Sequence, residues 1–116
     1  MPDISVIIPC YNQGQYIDEA VDSVLAQTFQ NFEIIIINDG STDPYTIDKL
    51  QNYEKPKTRV IHTTNSGLAA ARNNGIREST GEIVLPLDAD DYIGSEYLEL
   101  AYKVFEKDAN VGIVYC

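Results

Sequence analysis

Apolar residues fall into two alternating rhythms along the chain. Ile4 to Pro9 (ISVIIP) and Phe32 to Ile37 (FEIIII) are short, β-branched and almost continuously apolar, the pattern of strands covered on both faces. Between them, from Tyr16 onward, Ile17, Ala20, Val21, Val24 and Leu25 recur at helical spacing, which predicts a helix ending near Gln27. The stretch Pro9 to Gly14 lies between strand and helix and reads as a turn.

The alternation continues to the end. Asn38 to Asp43 interrupt the second strand with turn chemistry. Asp43 suits a helix cap and Pro44 a first turn, so a helix is expected through Ile47 and Leu50 to about Tyr53. Arg59 to Thr63 reads as a short third strand, and Asn65, Ser66 and Gly67 turn the chain into a helix over Leu68 to Ser79, where Ala69, Ala70 and Ala71 favour helix. Gly75 weakens that helix but permits close packing against the sheet. Glu82 to Leu87 forms a fourth strand. A helix from about Ser95 to Lys107 and a fifth strand from Val111 to Tyr115 follow.

This order specifies an α/β fold with a mainly parallel sheet and helices on both faces. A length of 116 residues suits one domain, spanning residues 1–116. An apolar strand so near the end would leave an edge or a face uncovered. The expectation is therefore the front half of a larger domain, or a homo-oligomer in which a second copy covers that strand.

Composition narrows the partners. Hydrophobic content of 44% and charged content of 22% are those of a folded protein. A net charge of -10 argues against a nucleic-acid partner held on a broad basic face. Cys10 and Cys116 match no metal-ligand spacing and imply no disulfide scaffold. The run Ile34 to Ile37 is four residues, against the roughly 20 that a membrane helix needs. Pro2 and Asp3 lead directly into the first strand with no signal peptide before it. The expected location is cytoplasmic, with the inner face of the membrane as an alternative.

Chemistry gathers where strands end. Ile83 to Leu87 run straight into Asp88, Ala89, Asp90 and Asp91, so a buried strand meets a charged rim. Ligands of open α/β sheets collect at the carboxyl ends of the strands, and three polar tips, Pro9 to Asn12, Asn38 to Asp43 and Asp88 to Asp91, would share that edge. The glycine fingerprints that cradle phosphate directly, G-x-G-x-x-G and G-x-x-x-x-G-K-[ST], are absent. A D-x-D after a strand offers instead two carboxylates to one hard cation, which keeps water and phosphate oxygens in its other positions. The bland alternative is a solvated turn before the next helix. A calcium loop fails, because Ile93 stands where that loop needs glycine and Tyr92 where it needs a ligand.

The stretch ISVIIPCYNQGQYIDEAVDSVLAQTFQNFEIIIINDGSTD, the NSGLAAARNNGI segment and LPLDADD together resemble the N-terminal half of family 2 glycosyltransferases of the GT-A fold. The combination of P-x-Y-N, D-G-S-x-D, A-R-N-x-G and D-x-D-D in that order covers nearly all of the chain. The resemblance implies a Rossmann-like sheet and an inverting transferase that takes its sugar from a nucleotide-diphosphate donor, a UDP-sugar being favoured. The cofactor would be Mn2+ or Mg2+, and the acceptor a saccharide or a lipid-linked molecule. It implies that Pro9, Tyr11 and Asn12 line the nucleotide pocket, that Asp39 meets the base, and that Asn65 and Arg72 belong to the stretch that approaches it. Asp88 would face the ribose or the metal, Asp90 would hold the metal, and Asp91 would shape the approach to the next helix.

Plainer roles remain open for several of these. Tyr11 serves equally as a packed aromatic, Asp39 as a turn residue at the Gly40-Ser41 bend, and Arg72 as a surface or salt-bridge residue. His62, the single histidine, reads as a core or edge residue, and the tyrosines of the last helix as packing. The catalytic base would come from an acceptor-binding half beyond Cys116, so the chain by itself is expected to bind donor without turnover. A non-catalytic nucleotide-binding module is the alternative. A signalling receiver domain is excluded, since Pro9-Cys10-Tyr11 and Thr63-Thr64 stand where its acids belong.

Overall fold

The computed structural model describes residues 2–107. Its elements run β1 (Ile4–Cys10), α1 (Gly14–Leu25), β2 (Phe32–Asp39), α2 (Pro44–Gln51), β3 (Thr58–Thr63), α3 (Leu68–Glu78), β4 (Ile83–Pro86) and α4 (Tyr97–Lys107). The expected strand from Val111 to Tyr115 lies outside the described residues.

The described strands form one sheet in the order β3-β2-β1-β4, with every neighbouring pair parallel. The chain steps outward from β1 to β2 to β3, then crosses back to place β4 on the other side of β1. Right-handed crossovers then require helices on opposite faces before and after that reversal. Accordingly α1 packs on one face through Ile17, Ala20, Val21 and Val24 with Val6, Ile8, Ile34 and Ile36, joined by Leu50 of α2 and Leu98 of α4. On the opposite face Ala71 of α3 packs with Ile7, Ile35, Ile37 and Val84. Alternate residues of β1 and β2 thus serve different cores, which explains their unbroken apolar runs.

Local chemistry sets the boundaries. Asp43 caps α2, its carboxylate accepting from Thr46 N at 3.2 Å, and Pro44 occupies the first turn. The helix α1 starts at Gly14, earlier than its apolar spacing predicts, because Thr46 Oγ1 accepts the Gly14 N–H at 3.0 Å. The ladder carries β1 to Cys10 and β2 to Asp39, past the expected ends, through the pairing of Cys10 with Asn38 and of Asp39 with Thr63. Gly75 has the packing role expected of it: an added Cβ would come within 2.1 Å of Ile7 Cγ2. No helix among the described residues is long and apolar enough to cross a membrane.

Candidate nucleotide site

The order of the strands reverses at β1, so the crevice beyond the carboxyl ends of β1, β2 and β4 is where an open α/β sheet offers a ligand site. Three loops build its walls. The first follows β1, where Asn12 adopts a left-handed backbone with φ 55°, a region asparagine tolerates better than most residues. Asn12 Oδ1 accepts from the Thr42 and Asp43 N–H groups, both at 2.8 Å, Nδ2 donates to Thr42 Oγ1 at 3.1 Å, and its backbone N–H donates to Ser41 Oγ at 3.1 Å. One side chain therefore clasps the loop after β2 to the loop after β1.

Asp39 joins the second loop to the third. The residue is 4% exposed, and its carboxylate oxygens accept from the backbone N–H groups of Ser66 at 2.9 Å and Gly67 at 3.1 Å. Charged acceptors make strong bonds to backbone N–H groups, and each oxygen retains a further lone pair. Gly40, at φ 66°, lies against the same turn, and a Cβ there would meet Asn65 N at 2.5 Å. Asn38 Oδ1 accepts from Ser41 N at 3.1 Å while its Nδ2 lies 3.0 Å from His62 Nδ1. His62 thus sits on β3, an edge strand among the described residues, and supports the loop through Asn38, in keeping with the edge role expected of it.

These loops enclose a cavity of about 230 Å³. The β1 end contributes Pro9, Cys10, Tyr11 and Gln13, the β2 end Asp39, and the third wall Asn65 and Gly67 with Leu68 and Ala71 of α3. Tyr11 is 42% exposed at the rim, so it is not a packed core aromatic. Burial pushes the Cys10 thiol up, against a smaller opposing effect of a backbone hydrogen bond at Gln13, so Cys10 lines the cavity as a neutral group. A flat aromatic face, an acidic acceptor and an amide around a mostly apolar hollow suit a planar heterocycle.

The acidic turn borders this crevice. Leu87 N donates to Ile7 O at 2.8 Å, extending the ladder one residue past Pro86, and Asp91 N closes a turn onto Asp88 O at 3.0 Å. Asp88 and Asp90 are exposed while Ala89 between them is buried. Arg72 Nη2 meets Asp88 Oδ1 at 3.0 Å, and Arg72 Nε is buried with no acceptor among the described residues. Asp91 Oδ1 accepts from Tyr92 N at 2.8 Å, a loop role. Among the described residues no group of three or more acidic, histidine or cysteine side chains converges as a metal cage.

Pro9, Tyr11, Asp39 and Asn65 therefore share one cavity, Asn12 braces it from behind, and Arg72 pairs with Asp88 beside it. Cys10, Gln13, Gly67, Leu68 and Ala71 were not anticipated as lining. The Asn65-Ser66-Gly67 turn marked that wall, but which face of α3 points inward is not legible from an alanine-rich stretch.

A crevice at the carboxyl edge of a parallel α/β sheet defines the class, and likeness to known proteins defines the family. Residues 5–116 match glycosyl transferase family 2, and the chain belongs to that family. It is 43% identical over 113 residues to glycosyltransferase GlyG of Streptococcus pneumoniae, covering 95% of this chain and 38% of that protein. It is 39% identical to chondroitin synthase of Pasteurella multocida over 99% of this chain and 12% of that protein. Residues 1–349 of TarS from S. aureus, crystallised in complex with UDP-GlcNAc, superpose with a TM-score of 0.78 at 36% identity, over 94% of this chain and 32% of that one. The fold is the Rossmann-like GT-A type. The chain spans well under half the length of these relatives.

Proposed function

We propose that the chain, as a single domain, forms the donor-binding part of a metal-dependent inverting glycosyltransferase that takes a UDP-sugar and serves a saccharide or lipid-linked acceptor. The observation that carries this reading is the placement of the Tyr11, Asp39 and Asn65 cavity directly beside the Arg72–Asp88 pair. One end suits a base and the other a charged diphosphate. Support for UDP comes from TarS, crystallised with UDP and with UDP-GlcNAc.

In this reading the Tyr11 ring covers one face of the base, and Asp39 uses its remaining lone pairs on a base N–H while its other bonds keep it still. Asn65 offers an amide to the base edge. The buried, unmet Arg72 Nε is a donor suited to a ligand oxygen. Asp88 and Asp90 fit a hard divalent cation of the Mn2+ or Mg2+ kind, which binds through one or two carboxylates and leaves its other positions to water and phosphate. When bound, such an ion neutralises a diphosphate leaving group. The base that deprotonates an acceptor hydroxyl is assigned to no residue among those described.

Calorimetric titration of UDP with Mn2+, with EDTA, and into Asp90→Asn tests the reading. Binding should require the metal and fall at least about tenfold in the variant. Binding that is indifferent to both EDTA and Asp90→Asn would remove the metal from the reading, and no binding of UDP under any condition would remove the UDP-sugar.

A further inference from the structure

Gln27 lies two residues beyond α1 and is 3% exposed. Burial of a primary amide is costly unless its polar atoms are bonded. Here they are: Nε2 donates to Ser23 O at 2.9 Å and to Gly94 O at 2.6 Å, and Oε1 accepts from the Leu98 N–H at 3.0 Å. One side chain joins the end of α1, the irregular segment after the acidic turn and the first turn of α4. Neighbouring bonds reinforce the joint, with Ile93 N donating to Ser23 Oγ at 3.2 Å and Thr28 N to Ser95 O at 2.8 Å.

The acidic turn is thereby strung between two anchors. Upstream, the bond from Leu87 N to Ile7 O at 2.8 Å fixes it to β1. Downstream, Ile93 and Gly94 are held by Ser23 and Gln27. Residues 91–94 belong to no helix or strand, so tertiary bonds and the burial of Ile93 set the course of the chain that presents Asp90. The cavity walls come from other loops, and the far end of α1 is not among its lining residues.

We propose that Gln27 is a positioning residue for the metal and diphosphate end of the site, fixing the direction of Asp88 and Asp90 through Gly94 and Leu98 while touching no ligand. This rests on the donor-site reading above. Groups that orient metal ligands without contacting the metal are worth about 10–100-fold in metal affinity. The base end, built on separate loops, should not share that loss.

Gln27→Met keeps side-chain length and packing but removes the amide bonds. Uridine, followed by NMR, probes the cavity, and UDP with Mn2+ probes the cavity and the acidic turn together. The expected result is unchanged uridine affinity with UDP–Mn2+ affinity lowered about tenfold. Equal losses for both ligands would show a general loosening of the fold and overturn the proposal, as would unchanged UDP–Mn2+ affinity in a folded variant. If Gln27→Met does not fold, Gln27→Glu, which keeps an acceptor for the Leu98 N–H but loses the amide that donates to both Ser23 O and Gly94 O, carries the same test with the same outcomes. A wild-type chain that fails to bind UDP with Mn2+ refutes the donor-site reading, whereas a wild type and variant that bind alike refute only the role of Gln27.

Discussion

Asn12 shows how a side chain near a site can work on the protein instead of the ligand. Both ends of its amide are engaged by Thr42 and Asp43. Asn12→Asp retains the oxygen that accepts two N–H groups but loses the donor, while Asn12→Ala loses every side-chain bond. Urea denaturation should therefore rank wild type above Asn12→Asp and Asn12→Ala last, with about 1 kcal/mol or more separating the extremes. Equal stability of the three would show that the clasp holds nothing. The P-x-Y-N pattern located this residue near the site, but what it grips lies in another loop, and no local pattern names a partner so distant. Asp39 behaves similarly: a turn residue was one expected reading, and it does brace a turn, but the one at Ser66 and Gly67.

Elements are fastened at both ends of the sheet, and the amino end, away from the site, carries a measurable pH signature. Glu33 accepts from Ser5 Oγ at 2.6 Å, Thr80 N at 2.7 Å and Thr80 Oγ1 at 2.8 Å, while Ser5 Oγ accepts from Gly81 N at 2.8 Å. This ties the start of β4 to β1 and β2. Burial pushes the Glu33 carboxyl up, but the bonds from Ser5 and Thr80, with Arg59 nearby, outweigh it and hold the group below its ordinary value. A carboxyl depressed on folding contributes stability that is complete above its unfolded pKa of about 4.3 and is lost as the pH falls through the lower folded value. Urea midpoints between pH 7 and pH 3 should fall less steeply for Glu33→Gln than for wild type, and parallel curves would exclude Glu33 as a source of acid sensitivity. The helix and strand types were legible because each apolar rhythm is local. Their ends shifted by a residue or two where a distant partner, such as Thr46 for Gly14, supplied the deciding bond.

At the scale of the molecule, β1 lies between β2 and β4 with every residue buried, whereas β3 pairs only with β2 among the described residues and has no buried residue, Arg59 and His62 being exposed. Native-state hydrogen exchange should find the β1 and β2 amides slowest and β3 distinctly faster. Comparable protection across β1, β2 and β3 would contradict this ranking. Parallel pairing and two-faced burial followed from uninterrupted apolar strands, yet the strand order did not, because no hydrophobic rhythm records which neighbour a strand selects.

The reversal at β1 also has an evolutionary reading. The cavity walls and the acidic turn leave the sheet from different strands and are braced by different side chains, Asn12 and Asp39 for one and Arg72 for the other. Mutational drift in one loop can thus proceed without dragging the other along.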